Sequence, residues 1–404
     1  MERIGELACV SEDSTCITRT YGTKAFINGR QLVEKWMTEA GLSTWTDNVG
    51  NIRGRLNCAA VSAKTLVIAS HIDTIVNAGK YDGPLGVIAG IEIVAALAAS
   101  QDRLPFHIEV VGFCDEEGCR FHTTYLGSKV LAGSFDRQLL QAKDKDGIPL
   151  GKVLTENGGD VDKLSKDALV KDEWLGYFEI HIEQGPVLFE KNIPVALVDG
   201  IAGQSRLTIH FNGEAGHAGT VPMSMRRDAL ACAAECVLEV ERYAKGKEGL
   251  LVATVGKLNI SHAASNVIPG EVSCSLDIRS DSITMMESAL QELKQKIAAV
   301  CRKRGIGLDW NPVQQSAPVA CDETMKDLLR KSIRANGYDL LELVSGAGHD
   351  AVPISKVAPV AMLFVKCFKG ISHHPSESVE VEDIAAALNV SDKFLQLLIA
   401  KHSA

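Results

Sequence analysis

In this 404-residue chain, histidines and carboxylates gather where apolar runs end. The run Thr65–Ser70 leads into His71-Ile72-Asp73, His107–Cys114 leads into Asp115-Glu116-Glu117, and Tyr177–Gly185 carries His181 and Glu183. Asp82-Gly83 lies in a Gly-rich stretch soon after His71, and His373-His374 closely follows the apolar run Pro359–Val365. Imidazoles and carboxylates in similar number, without thiolates, suit zinc, manganese, cobalt or nickel, and two carboxylate-bridged ions more naturally than one. Two such ions make a water acidic enough to attack near neutral pH and polarise the carbonyl it attacks. Taken singly, a histidine at a strand end is more often structural, and adjacent glutamates are usually a solvated turn. Five such elements at one end of a sheet point to a metal site.

The elements that would position them follow from hydrophobic periodicity. The three runs read as strands, and LGVIAGIEIVAALAA between the first two reads as a helix packed on them. Strand, helix, strand at this spacing predicts an α/β sheet, and ligands of open α/β sheets bind beyond the carboxyl ends of the strands. Pro359–Val365 is expected as a further strand, with a closing helix from about Asp383. The middle differs. QSRLTIHFNG alternates, a helix is expected from about Met223 to Ala244, and LVATVGKLNI and EVSCSLDIRS alternate again. A helix over Ser282 to Arg304 and a short strand near Gly307 complete a β-α-β-β-α-β unit, a split βαβ (ferredoxin-like) sandwich. The expected plan is a mixed-sheet α/β hydrolase domain over 1–202 and 316–404, with a smaller α+β dimerisation or lid domain inserted over 203–315.

Composition narrows the function class. A net charge of −9 without a dense Lys/Arg block argues against a nucleic-acid partner. The eleven cysteines are scattered, which predicts a reducing compartment rather than a disulfide framework. Cys232 and Cys236 stand four apart in a helical stretch, but no further ligand accompanies them in sequence, so a zinc–thiolate site is not expected. The N-terminus shows no signal peptide, and Val87 to Ala99 is too short and too polar at Glu92 to span a bilayer. A cytoplasmic address, with no membrane partner, is the expectation.

The stretches SHIDTIVNAGKYDGPLG, DEEGCRF…LGS, HIEQGPVL, GQSRL…GEAGHAGTVPMSMRRDA, SNVIPGEVSCSLDIR, SGAGHDA and GISHHPSE resemble the metallopeptidase-related amidases. These are allantoate amidohydrolases, ureidoglycolate amidohydrolases and N-carbamoyl-L-amino-acid hydrolases. The resemblance runs in order from about Gly22 to near the C-terminus. It implies two divalent ions per subunit, manganese foremost and zinc, cobalt or nickel as alternatives. His71 and His181 would hold one ion, Glu117 and His373 the other, and Asp82 would bridge them. The histidine directly after serine is the ligand in the family's GxSHxP pattern, which selects His373 over His374. Asp73 would orient His71 through its second ring nitrogen.

The resemblance further implies that Glu116 is the general base, taking a proton from water and passing it to the departing nitrogen. His217 would stabilise the oxyanion, reaching the site of the partner subunit in a homodimer. Arg279 matches a clamp for the substrate carboxylate, with Asn266 its amide partner. Gln184, Gln204, Gly348 and His349 are further substrate-pocket positions. The expected substrate is a small ureido or carbamoyl carboxylate. NAGKYDG and GIAGQSRL…GHAGTVPMSMRRD look closest to allantoate amidohydrolases, because carbamoyl-amino-acid hydrolases tend to carry Pro-Asn-Gly-Gly where this chain has Val76-Asn77-Ala78-Gly79. N-carbamoyl-L-amino acids, ureidoglycolate and 3-ureidopropanoate are the alternatives within the family. Outside it stand a metallo-exopeptidase, which would carry a carboxylate at the His181 position, and a non-catalytic binding protein, which would have lost a ligand.

Overall fold

The computed structural model describes residues 1–58, 63–100 and 104–403. They divide into two compact units, Met1–Asp199 with Cys321–Ala404, and Gly200–Ala320.

The first unit is built on a mixed sheet with strand order Ser43–Thr46, Ile52–Leu56, His107–Phe113, Thr65–His71, Trp174–Ile182, Val360–Val365 and Val195–Ile201. The middle four run parallel. Strands covered on both faces read as unbroken apolar runs, and every residue of Thr65–His71, His107–Phe113 and Val360–Val365 is buried. Parallel pairing also brings all four carboxyl ends to one edge, so His71, the Asp115–Glu117 turn, His181 and the segment leading to His373 converge there. The third strand runs Trp174–Ile182 rather than Tyr177–Gly185. It stops because Glu183 turns to accept the backbone N–H groups of Val187 and Leu188, and Gln184 takes a positive φ of 56°.

The helix Pro84–Ser100 packs on this sheet, with proline at its first position where the missing N–H costs nothing. Its approach is close. A Cβ on Gly86 would overlap the carbonyl oxygen of Ile180, and one on Gly90 would press on Ile68 and Val110. The closing helix Val381–Ser403 packs Phe394 against Phe178, ring centroids 4.8 Å apart and the rings tilted by 37°.

The second unit is an antiparallel sheet in the order Leu258–Ile260, Glu271–Ser280, Gly203–Asn212, Gly307–Ser316, with Leu251–Thr254 also pairing to Glu271–Ser280. Val272, Cys274, Leu276 and Ile278 alternate into a core shared with the helices Ala229–Lys245 and Ile283–Arg304. Two details depart from the sequence expectation. The first helix begins at Ala229, not Met223, because the Asp228 side chain caps the Ala231 N–H and the preceding Met223–Met225 forms only a 3₁₀ turn. The last strand is ten residues long rather than short, pairing with residues 204–212 despite Pro312, after which the register shifts. Among the described residues, no helix is long and apolar enough to cross a membrane.

The Gly86 contact is testable. Gly86→Ala should cost about 3 kcal/mol of overpacking against immovable backbone, outweighing the ~1 kcal/mol that alanine brings to a helix. Urea unfolding should show a lower midpoint than wild type, while Gly5→Ala, where a Cβ meets nothing within 4 Å, should not. An unchanged midpoint for Gly86→Ala would contradict the close approach.

Candidate metal centre

Asp82 is the centre of the cluster. Its Oδ1 faces two imidazoles, with Nε2 of His181 at 3.2 Å and Nε2 of His71 at 3.7 Å. Its Oδ2 faces His373, whose Nε2 is at 3.1 Å, and the same Nε2 lies 3.5 Å from Oε1 of Glu117. Three donor groups, each with ligand atoms within 4.8 Å of one another, therefore overlap: His71/Asp82/His181, Asp82/Glu117/His373 and His71/Glu116/Glu117. A fourth, Glu179/His181/His349, extends behind His181.

The imidazoles are aimed by their other nitrogens. Nδ1 of His71 donates to the backbone carbonyl of Asp73 and Nδ1 of His181 to that of Ile182, both at 3.0 Å, which turns each Nε2 toward Asp82. Asp73 thus orients His71 through its main chain, not its carboxylate, whose nearer oxygen is 3.8 Å from the ring. That carboxylate is engaged elsewhere, accepting the backbone N–H groups of Glu116 and Glu117 at 3.1 and 3.2 Å and so fixing the turn that presents both glutamates. Buried Arg19 ties the same region down by donating to the Ile72 carbonyl at 2.7 Å.

Asp82 is itself held by groups that side-chain type alone does not mark as ligands. Glu377 accepts the backbone N–H groups of Tyr81 and Asp82 at 2.7 and 3.1 Å, and the Ser372 hydroxyl donates to Asp82 Oδ2 at 2.6 Å. Both lie inside GISHHPSE, so the same motif that carries the histidines carries these two groups. Gly83, at φ +84°, must be glycine because a Cβ there would run into the His71 ring. His373 and Asp115 also sit at positive φ, backbone strain of the kind found at functional sites.

Charge tests whether cations fit. Burial alone would raise the Asp82 carboxyl, but hydrogen bonds to His181, His373 and His71 hold it well below the usual carboxylate range. His71 is raised well above an ordinary imidazole by Asp82, Glu116 and their neighbours in spite of burial, and His373 is raised to about 9, chiefly by its bond to Asp82. Burial pushes Glu116 well up and Glu117 up to about 7. The cluster is thus short of positive charge and gathers protons onto its imidazoles, and nitrogen and oxygen donors are the right set for divalent ions in place of those protons. The residues fit.

The other expected positions fall in three places. His349 is buried against His181, ring centroids 4.6 Å apart, with Nε2 2.7 Å from the Ser345 hydroxyl; burial keeps it neutral. A Cβ on neighbouring Gly348 would overlap the Tyr125 hydroxyl. Gln184 donates to Asp82 Oδ2 at 2.7 Å, leaving its own carbonyl oxygen buried without a partner. His374 turns away, its Nδ1 accepting the Ser376 N–H.

In the second unit, Gln204 and Arg279 are register partners at one end of the sheet, and both donate to the Asp277 carboxylate. The Arg279 fork therefore already grips a carboxylate, one supplied by its own strand two residues earlier. His217 pairs with Val267 beyond the opposite end, and the Ala218 N–H bonds the Asn266 carbonyl, so His217 and Asn266 are neighbours. Arg279 and Asn266, expected together, are separated within this unit by the length of the Glu271–Ser280 strand.

Relatives share this plan. Over 427 aligned residues the chain is 39% identical to allantoate deiminase 1 of Glycine max, covering 98% of this chain and 88% of that protein. It is 37% identical to N-carbamoyl-L-amino-acid amidohydrolase of Pseudomonas sp. (strain NS671), covering 96% and 94% of the two. The crystal structure of an amidase of the hydantoinase/carbamoylase family from Burkholderia multivorans matches with a TM-score of 0.90 at 33% identity, covering 98% of this chain and 95% of that chain. Residues 67–397 match peptidase family M20/M25/M40, and the protein belongs to that family.

Proposed function

We propose that this protein is an allantoate amidohydrolase, hydrolysing a ureido C–N bond of allantoate to give ureidoglycine, ammonia and CO2. In this reading it is a cytoplasmic, homodimeric enzyme of purine catabolism with two divalent ions per subunit, manganese foremost. The observation that carries it is the division of donors about Asp82, one oxygen toward His71 and His181 and the other toward His373 and Glu117. Family M20 enzymes use divalent metal ions. The allantoate deiminase and carbamoylase relatives support a ureido or carbamoyl substrate.

Bound between these donors, two divalent ions would supply an acidified water and a polarised carbonyl. The protein's own groups do the rest. Glu116, buried beside His71 and Glu117 and raised by that burial, takes the water's proton and delivers it to the departing nitrogen. Glu117, although adjacent, serves as ligand. His217 donates to the oxyanion of the tetrahedral intermediate, and Arg279 grips the substrate carboxylate with Asn266, Gln204, Gln184, Gly348 and His349 completing the pocket.

The second unit supports the dimer. Gln204 and Arg279 lie at one end of ten-residue strands and His217 and Asn266 beyond the other, about 30 Å away at ~3.3 Å per residue. A small ligand can meet both pairs only when two copies contribute them. N-carbamoyl-L-amino acids are the second reading, favoured by the Pseudomonas relative at 37% identity. Ureidoglycolate and 3-ureidopropanoate follow.

Ammonia release from these four substrates with manganese supplied decides among them: allantoate should be turned over best, and an inert allantoate beside an active carbamoyl amino acid would refute the choice. Glu116→Gln should lower kcat by about 10³-fold, within the range for a lost general base, with metal content by elemental analysis unchanged. In the chelated protein, His373 is still protonated at pH 7, so metal binding should expel at least one proton there and fewer at pH 10. Calorimetry in buffers of differing ionisation enthalpy counts them, and no release at pH 7 would contradict the site. Finally, mixing inactive His217→Ala and Glu116→Gln chains should restore part of the activity through mixed dimers; no recovery despite demonstrated subunit exchange would remove His217 from the partner's site.

A further inference from the structure

We propose that the second unit carries a separate three-thiol site for one soft monovalent cation, copper(I), formed by Cys232, Cys236 and Cys301. Cys232 and Cys236 are four apart on the helix Ala229–Lys245 and so project from one face. Cys301, near the end of the helix Ile283–Arg304, meets them across the core, its sulfur 3.7 Å from that of Cys232. All three sulfurs lie within 4.8 Å of one another, and all three residues are buried. Sulfurs placed about 2.3 Å from a central ion, the usual thiolate bond length, form a triangle about 4 Å on a side. The triangle is already nearly drawn.

The donor set selects the ion. No histidine or carboxylate joins the group among the described residues, whereas structural zinc takes four ligands. Thiolates in a dry setting select soft ions, copper(I) among them, and the three cysteines belong to the apolar core that also holds Ala233, Val240, Leu293 and Ile297. The Arg302 guanidinium favours the Cys301 thiolate, whereas bonding to sulfur neighbours and burial push Cys232 up to about 12 and Cys236 well up, so a bound cation has to displace their protons. Hydrogen bonds from Cys232 and Cys236 draw the Cys301 thiol down toward the thiolate. On binding, the thiol protons pass to solvent and the metal keeps its oxidation state. The amidase ligands are nitrogen and oxygen donors and share no residue with this group.

The test uses the full chain with its divalent ions supplied, titrated anaerobically with copper(I) in competition with a bathocuproine chelator. Because the sulfurs are buried, one arm adds copper(I) during refolding. Wild type should bind one copper(I) more than Cys301→Ala, with three sulfurs around it by X-ray absorption and a melting temperature raised in wild type but not in Cys301→Ala. Cys58→Ala, a half-buried cysteine of the other unit, should behave as wild type. Should Cys301→Ala fail to fold, Cys236→Ala leaves the Cys232–Cys301 pair in place and should weaken binding at least tenfold. Equal uptake by wild type and the variants would overturn the proposal, as would a Cys232–Cys301 disulfide in protein that takes up no copper.

Discussion

A single carboxylate with its two oxygens committed in different directions organises the first unit. Asp82 is buried, and a buried carboxylate survives only when its lone pairs are met. Here they are met by imidazoles from the ends of two parallel strands and from a loop near the C-terminus. Everything nearby serves that geometry. Glu377 holds the loop by its main chain, Ser372 fixes one oxygen, and Gly83 lets the His71 ring lie against the backbone.

The polar core around Asp82 is one network rather than a set of separate contacts. Asp73, Glu116, Glu117 and Asp82 crowd carboxylates together in low dielectric, and beyond burial itself Glu117 and Asp73 oppose ionisation of Glu116 while Asp82 and Asp73 oppose that of Glu117. Burial and mutual repulsion keep Glu116 and Glu117 protonated to higher pH, while imidazolium partners keep Asp82 charged. Two adjacent glutamates in one turn can therefore take different roles. What separates them is what each faces, and that is decided by the turn that Asp73 ties down.

Much of this was legible in the sequence because parallel strands announce themselves as continuous apolar runs, and the polar residues ending them stand out against that background. His71, Asp82, Glu116, Glu117, His181 and His373 were found that way and through motif resemblance, and the fold brings them together. Other features were hidden for physical reasons. Asp73 carries an obvious carboxylate, but its main-chain oxygen is what faces His71, and side-chain identity says nothing about carbonyl direction. Glu377 and Arg19 act through backbone partners far away in the chain. Cys301 cannot be grouped with Cys232 and Cys236 without knowing how two helices cross. The helix start at Ala229 rather than Met223 was a matter of capping, where Asp228 outweighs the apolar character of the methionines before it.

The tie between Glu377 and the Asp82 loop joins residues nearly three hundred positions apart, with the whole second unit made in between. On a ribosome, His71, Asp82, Glu116, Glu117 and His181 all emerge long before Ser372, His373 and Glu377. Until those last residues appear, the Tyr81 and Asp82 N–H groups lack their Glu377 acceptor and one Asp82 oxygen lacks its imidazole. The nascent chain can thus bring His71, Asp82 and His181 together early, but the second donor group, Asp82, Glu117 and His373, can meet only after the whole second unit has been made.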